Sequence, residues 1–234
     1  MHTFFSEIID DLLISLPLEE SHHAIKVLRL KEGALVAVSD GKGKWCEGTL
    51  VGAHEKGCLI KIDKTITQAA RRVLLHVAIA PTKNIDRLEW FLEKATECGI
   101  DQITPVLCTN SERIVIKHER LQKVLVAAMK QSLRAYLPIL NPAIQFNKFI
   151  EGTINGKRLI AHCYPGEKLT LESAMATNQS TIMLIGPEGD FTESEVEAAC
   201  ARGFEPVSLG DYRLRTETAA LISCVCFNFA NRMP

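Results

Sequence analysis

The chain has 234 residues, 47% of them apolar, which suits one large globular domain or two smaller ones. A formal net charge of −1 shows that the whole molecule is no polycation, and no apolar run approaches the roughly 18 residues of a membrane span. The sequence has no basic signal-peptide start, no Cys-x-x-Cys pair and no zinc-spaced histidine cluster, so we predict a cytoplasmic protein that binds neither membrane nor metal.

The first 68 residues predict a small β-rich unit. Residues 34–38 and 45–51 flank a glycine-containing turn as a hairpin, and residues 57–62 predict another strand. A short helix is predicted between residues 19 and 30, and residues 65–70 are interpreted as a linker.

From residue 71 the pattern changes to strands that alternate with helices. Strands are predicted at residues 73–80, 103–107, 159–163, 181–185 and 206–209, and helices at residues 84–98, 120–134, from 192 onward and at 218–230. Such alternation indicates a parallel α/β sheet. We therefore predict two domains, residues 1–68 and residues 71–234.

Two predicted strands end in glycine turns that lead into helices, at residues 186–191 and 209–219. The carboxyl ends of parallel strands meet at one edge of a sheet, so these turns predict a crevice where a flat ligand lies against backbone. Neither turn has the spacing of a dinucleotide fingerprint or of a P-loop. Acidic residues in the turns would repel a pyrophosphate but suit an adenosine that carries a cationic sulfur. Thr192 and Glu195 predict a capping box behind the first turn.

Arg215 lies among the carboxylates of these turns. It could act in chemistry, or it could form a structural salt bridge with Glu188 or Glu217. Residues 71–150 carry 12 lysines and arginines against 7 acidic residues, a local net charge of +5. This segment is either a phosphate-binding face or a solvated helix surface.

The two turns carry a resemblance that covers nearly the whole chain. Residues 186–191 and 209–219 resemble the Gly-Pro-Glu-Gly-Gly-Phe and Leu-Gly-x-x-x-Leu-Arg-Thr-Glu-Thr-Ala motifs of the 16S rRNA uracil-N3 methyltransferases (RsmE type) of the SPOUT superfamily. Further matches are His23 with residues 27–29, residues 40–41, residues 94–100, and Gln131-Ser132 with Arg134 and Pro138.

The resemblance implies an N-terminal PUA-like RNA-binding β-barrel and a C-terminal parallel α/β domain with a trefoil knot. It also implies S-adenosylmethionine as cofactor and a homodimer that acts on 16S rRNA or the small ribosomal subunit. The chain departs from the family pattern at Thr3, where an arginine is usual, at Asp190, where the second glycine is usual, and at residues 211–213, where Pro-Arg-Ile is more usual.

The predicted function is methylation of N3 of a uridine in 16S rRNA; the alternatives are another RNA target, such as a ribose 2′-hydroxyl, or a non-catalytic RNA-binding assembly factor. Arg215 is predicted to stabilise the charge on the uracil oxygens, and Glu217 to act as the base or to hold the methionine amine. The residues predicted to bind the cofactor are His162, Ile185, Gly186, Pro187, Glu188, Gly189, Leu209, Gly210, Leu214, Thr216 and Ala219. Those predicted to bind RNA are His23, Lys26, Arg29, Arg113, Lys117, Lys130 and Arg134.

Overall fold

The computed structural model describes residues 1–7, 12–152, 155–175 and 178–231, and the chain forms two compact units. Residues 1–70 and 126–137 form the first unit, and the remainder forms the second. The sequence did not indicate that residues 126–137 join the N-terminal unit. The functional division into domains 1–68 and 71–234 stays a prediction, and a truncation at residue 68 would remove the packing partners of residues 126–137.

A five-stranded sheet forms the first unit. Its strands, in spatial order, are β1 (His2–Phe5), β3 (Leu35–Ser39), β4 (Lys44–Gly52), β5 (Leu59–Thr67) and β2 (Leu13–Ser15). The β1–β3 pair is parallel and the other pairs are antiparallel. The predicted hairpin is therefore confirmed as β3 and β4.

Two details of this unit differ from the prediction. Strand β5 continues to Thr67 and pairs with the first residues of β4, so residues 65–67 are sheet and not linker. The predicted helix is a short α1 (Leu18–His22) continued by a π-helical turn (His23–Val27), and Arg29 lies beyond it with a φ of 55°. Sequence periodicity does not reveal these boundaries, because strand pairing decides where a strand ends.

An all-parallel sheet forms the second unit, in agreement with the predicted fold class. Its strands are β6 (Leu75–Ile79), β7 (Gln102–Leu107), β8 (Ile139–Leu140), β9 (Ile144–Gln145), β10 (Lys157–Ala161), β11 (Leu169–Thr170), β12 (Thr181–Ile185) and β13 (Glu205–Ser208). The order is β11-β13-β10-β12-β6-β7-β8, and β9 pairs with β7. Strands β8, β9 and β11 were not predicted, because two residues carry no periodicity.

The helices are α2 (Ile85–Cys98), α3 (His118–Gln131), α4 (Phe146–Glu151), α5 (Leu171–Met175), α6 (Glu193–Ala201) and α7 (Thr216–Ala230). Helix α2 begins after Asn84, whose side chain accepts the N–H of Asp86, and ends at Gly99 in the left-handed conformation. The capping box of Thr192 and Glu195 at the start of α6 is confirmed. Within the described residues, no helix has the length and apolarity needed to cross a membrane.

A partly buried polar cluster lies at the amino-terminal edge of the parallel sheet. His76 on β6 lies with Nε2 2.7 Å from Oγ1 of Thr104, and Nδ2 of Asn141 donates to the same oxygen at 2.7 Å. Burial lowers the pKa of His76 to about 4. Unfolded histidine titrates near pH 6.5, so the unfolded chain takes up this proton first and acid destabilises the fold.

We expect the His76 cluster to make the protein sensitive to acid between pH 6.5 and 4. Between pH 7 and pH 5, the lowered pKa should remove about 2 kcal/mol from the free energy of unfolding. His76→Gln retains a hydrogen-bonding amide but does not titrate, so it should lack this loss. Urea unfolding of the wild type and of His76→Gln at pH 7 and pH 5 measures this loss of stability. An equal pH dependence of stability in the two proteins would contradict the assignment of the loss to His76.

Candidate cofactor and active site

A cavity of about 800 Å³ lies at the carboxyl ends of three parallel strands. Its walls come from the connections that follow β10, β12 and β13. Both turns predicted from the sequence line this cavity, although strand β10 lies between β12 and β13. The loop after β10 therefore supplies a third wall between the two turns.

The cavity brings together every residue that was predicted to bind the cofactor. They are His162, Ile185, Gly186, Pro187, Glu188, Gly189, Leu209, Gly210, Leu214, Thr216 and Ala219. Arg215 also lines the cavity, whereas Glu217 is not among its lining residues. The roles of these residues stay predictions, but their convergence follows from strand ends that meet at one edge of the sheet.

The turn after β12 is held through its backbone oxygens. Oγ1 of Thr216 donates to the carbonyl of Gly186 at 3.0 Å, and Nδ2 of Asn110 donates to the carbonyls of Gly189 and Asp190 at 3.2 and 3.0 Å. A Cβ on Gly189 would lie 3.2 Å from Cβ of Asn110. Glycine at position 189 therefore leaves room for the Asn110 side chain, in addition to any room that it leaves for a ligand.

Asp190 joins this turn to the loop after β10. Its φ is 62°, a conformation that aspartate tolerates better than most residues and that glycine adopts freely. One carboxylate oxygen accepts the N–H of Phe191 at 2.8 Å, and the other accepts the N–H of Cys163 at 2.7 Å. The hydroxyl of Tyr164 donates to the carbonyl of Phe191 at 2.8 Å. Asp190, which replaces the glycine that is usual in the family, thus links two walls of the cavity by a direct hydrogen bond.

His162 lines the cavity with a half-buried imidazole whose two ring nitrogens are buried. Neither of its ring nitrogens has a partner among the described residues. Burial, followed by the charge of Lys168, lowers the pKa of His162. A neutral imidazole offers one donor and one acceptor, and a buried polar group without partners is costly. These nitrogens therefore have hydrogen-bonding capacity that no described residue uses.

The two predicted catalytic residues have different surroundings. Arg215 is exposed at the N-cap of α7 and has no ion pair within the described part of the chain. The salt bridge considered for it is not formed: the nearest cation to Glu217 is Arg87, whose Nε lies 3.9 Å from Oε1, and Glu188 accepts the backbone N–H of Lys83. Glu217 is buried, and its Oε2 has no hydrogen-bond partner among the residues described.

Several of the residues predicted to bind RNA already have protein partners. Arg113 donates to the backbone carbonyls of Thr82 and Lys83 within the second unit. Lys130 lies 2.6 Å from Glu20 within the first unit, and both side chains are largely buried.

Other members of the predicted RNA-binding set lie nearer the surface. Lys26 pairs with Glu55 in an exposed ion pair, and Arg29 and Lys117 are exposed. His23 and Arg134 are half-buried. The sequence could not show these partners, because charge alone does not reveal which side chains meet after folding.

A second cavity, of about 1230 Å³, lies at the opposite, amino-terminal edge of the parallel sheet near His76. Parallel α/β sheets bind ligands at the carboxyl edge, which favours the smaller cavity as the functional site. Among the residues the structure describes, no group of three or more His, Cys, Asp or Glu side chains could hold a metal.

We expect Asp190→Ala to weaken the fold by about 2–3 kcal/mol, because it loses two hydrogen bonds and places alanine in the left-handed region. Asp190→Asn tolerates this conformation and retains one acceptor oxygen, so its loss should be smaller. Asp190→Gly removes the carboxylate without backbone strain, so it separates the loss of hydrogen bonds from the cost of the left-handed conformation. Urea unfolding measures all three variants, and an alanine variant as stable as the wild type would refute the link.

Comparison with known proteins agrees with this geometry. The RNA methyltransferase domain family matches residues 69–228, and the RNA methyltransferase PUA domain family matches residues 16–63. The ribosomal RNA small subunit methyltransferase E of Aquifex aeolicus is 26% identical over 98% of this chain and 100% of its own length.

Two solved structures extend the likeness to three dimensions. A probable rRNA-methyltransferase from Porphyromonas gingivalis is 38% identical over 96% of this chain and 95% of its own, with a TM-score of 0.87. The ribosomal RNA small subunit methyltransferase E of Neisseria gonorrhoeae, bound to S-adenosyl methionine, is 25% identical over 98% and 97%, with a TM-score of 0.86. With its parallel α/β sheet, its N-terminal PUA-like strands and these relatives, the chain belongs to the RNA methyltransferase family, among proteins of the small subunit methyltransferase E type.

Proposed function

We propose that this protein transfers a methyl group from S-adenosylmethionine to N3 of a uridine in the 16S rRNA of the small ribosomal subunit. The observation that carries the proposal is the cavity at the carboxyl ends of β10, β12 and β13, which gathers the predicted cofactor residues beside Arg215. The relatives named above are small-subunit rRNA methyltransferases, and one was crystallised with S-adenosyl methionine.

The cavity fits the cofactor in size and in chemistry. About 800 Å³ lies within the range of small-molecule sites. The partnerless ring nitrogens of His162 can exchange hydrogen bonds with a polar group of the ligand. Ile185, Leu209 and Leu214 supply apolar surface for a flat base. When bound, the cofactor supplies an electrophilic methyl group, and the protein supplies orientation and charge.

Arg215 is the residue assigned to the reacting uracil. N3 of uridine attacks well only after it has lost its proton, which leaves negative charge on the two flanking oxygens. An exposed guanidinium without an ion pair can stabilise that charge. Reaction also requires the uridine to leave its stack, as base-modifying enzymes demand of their substrates.

Glu217 retains two assignments in this proposal. Its Oε2 has no hydrogen-bond partner among the described residues, so it has lone pairs for the N3 proton or for the methionine amine. Its other oxygen faces Arg87 at 3.9 Å, and the side chain does not line the cavity. Either role therefore requires Glu217 to turn towards the cavity when the ligands bind.

The wider proposal covers partners and location. The PUA-like unit and the exposed cations Arg29 and Lys117 would contact rRNA phosphates, whose number sets the salt dependence of binding. The protein would act as a homodimer in the cytoplasm, where the small subunit is its substrate.

Base-resolved mapping of rRNA tests the proposed function. Cells that lack the gene should have lost one N3-methyluridine in 16S rRNA, and the wild-type gene should restore it. Loss of a ribose 2′-O-methyl group instead would support the other RNA target, and unchanged rRNA would support the non-catalytic assembly factor.

We expect Arg215→Ala to lower kcat by about 10²-fold, the scale of losing one oxyanion-stabilising donor, while the Kd for S-adenosylmethionine stays within a few-fold. Arg72→Ala removes an exposed arginine near the opposite edge of the sheet and is the matched control, which should retain full activity. Methyl-transfer assays and calorimetry measure both. An unfolded Arg215→Ala protein would instead assign the residue to stability.

A further inference from the structure

An aromatic side chain stands exposed at the mouth of the cavity. Tyr212 exposes 88% of its surface, the largest fraction of any large apolar side chain in the described chain. It belongs to the connection between β13 and α7 and lines the cavity. Single exposed apolar side chains are common on protein surfaces, so the surroundings of this ring decide its meaning.

Two arginines, Arg213 and Arg215, follow Tyr212 along the chain, and Asp211 precedes it. Arg213 and Arg215 are exposed and line the same cavity. Neither arginine has an ion pair in the parts of the chain that are described. An aromatic face next to unpaired guanidinium groups is the arrangement with which proteins bind unstacked bases and their phosphates.

A second observation places a further cation at this rim. Lys168 lines the same cavity as Arg213, and its Nζ donates to the carbonyl of His162 at 2.7 Å, on the wall that follows β10. The cavity lining thus combines the exposed Tyr212 ring with three basic side chains, while its acidic residues are Asp211, next to Tyr212, and Glu188 and Asp190 on the turn after β12.

We infer that Tyr212 stacks on the uracil that is methylated and that Arg213 contacts a phosphate of the same RNA strand. This inference rests on the proposed function and adds the residue that positions the base. Arg215, three residues along the chain, would meet the uracil oxygens while the Tyr212 ring covers one face of the base. The contact uses the ring and not the hydroxyl, because stacking needs only a π-face.

Steady-state kinetics on small ribosomal subunits from cells that lack the gene test this inference. Tyr212→Ala should raise KM for the subunit by roughly tenfold, the scale of losing one stacking contact, without changing the Kd for S-adenosylmethionine. Tyr212→Phe is the matched control and should restore the wild-type KM. The ring is exposed, so both variants should unfold at the same urea concentration as the wild type.

A binding experiment separates stacking from charge. The probes are a single-stranded octamer of oligouridylate and an abasic octamer that carries the same phosphates. The wild type, loaded with S-adenosylhomocysteine, should bind the oligouridylate more tightly, and Tyr212→Ala should lose this preference while retaining affinity for the abasic chain. Arg213→Gln should weaken binding of both probes equally.

The possible failures are distinguishable. An active wild type whose Tyr212→Ala variant has an unchanged KM and an unchanged preference overturns the stacking role and leaves the proposed function intact. A changed Kd for S-adenosylmethionine in the Tyr212→Ala variant would assign Tyr212 to the cofactor site and would also overturn its stacking role. A wild type that methylates no uridine in the subunit overturns the proposed function together with this inference.

Discussion

The backbone of the turn after β12 is the part on which the cavity depends. Its oxygens accept hydrogen bonds from the hydroxyl of Thr216, the amide of Asn110 and the hydroxyl of Tyr164. These side chains come from helix α7, from the loop after β7 and from the loop after β10. A displacement of this turn would therefore disturb every wall of the cavity, because each wall is hydrogen-bonded to it. The bond from Thr216 to the Gly186 carbonyl is buried, and a buried backbone oxygen is costly to leave without a partner.

The turn separates two environments that serve different purposes. Behind it, the strands are fully buried, as Leu159 and Met183 illustrate, and their packing stabilises the fold. In front of it, Tyr212 and Arg215 are exposed and have few partners to lose. Changes at the rim can therefore alter activity without unfolding the protein, whereas changes behind the turn act on stability first. Asp190 stands at the border, because its carboxylate links one wall to the next.

Sequence reasoning succeeded wherever the signal was local. Helix α2 was predicted to within one residue of its observed bounds, and the capping box at Thr192 was found from capping preferences. The buried strand β12 was predicted with its observed bounds, since five consecutive apolar or β-branched residues precede a glycine turn. Both motifs were predicted to line one crevice, because parallel strands place their carboxyl ends at one edge of the sheet.

The tertiary structure alone decided what depends on residues far apart in the chain. Strand β10 lies between β12 and β13, so a loop without a motif supplies one wall of the cavity. Residues 126–137 join the first unit, although 55 residues of the second unit, 71–125, precede them in the chain. Lys130 pairs with Glu20 across 110 positions, and Arg113 donates to the backbone carbonyls of Thr82 and Lys83; the sequence did not indicate these partners. Composition, periodicity and capping report local free energies and therefore determined the elements and the motifs. Strand order and ion-pair partners are set only when distant surfaces meet, and no local pattern encodes them.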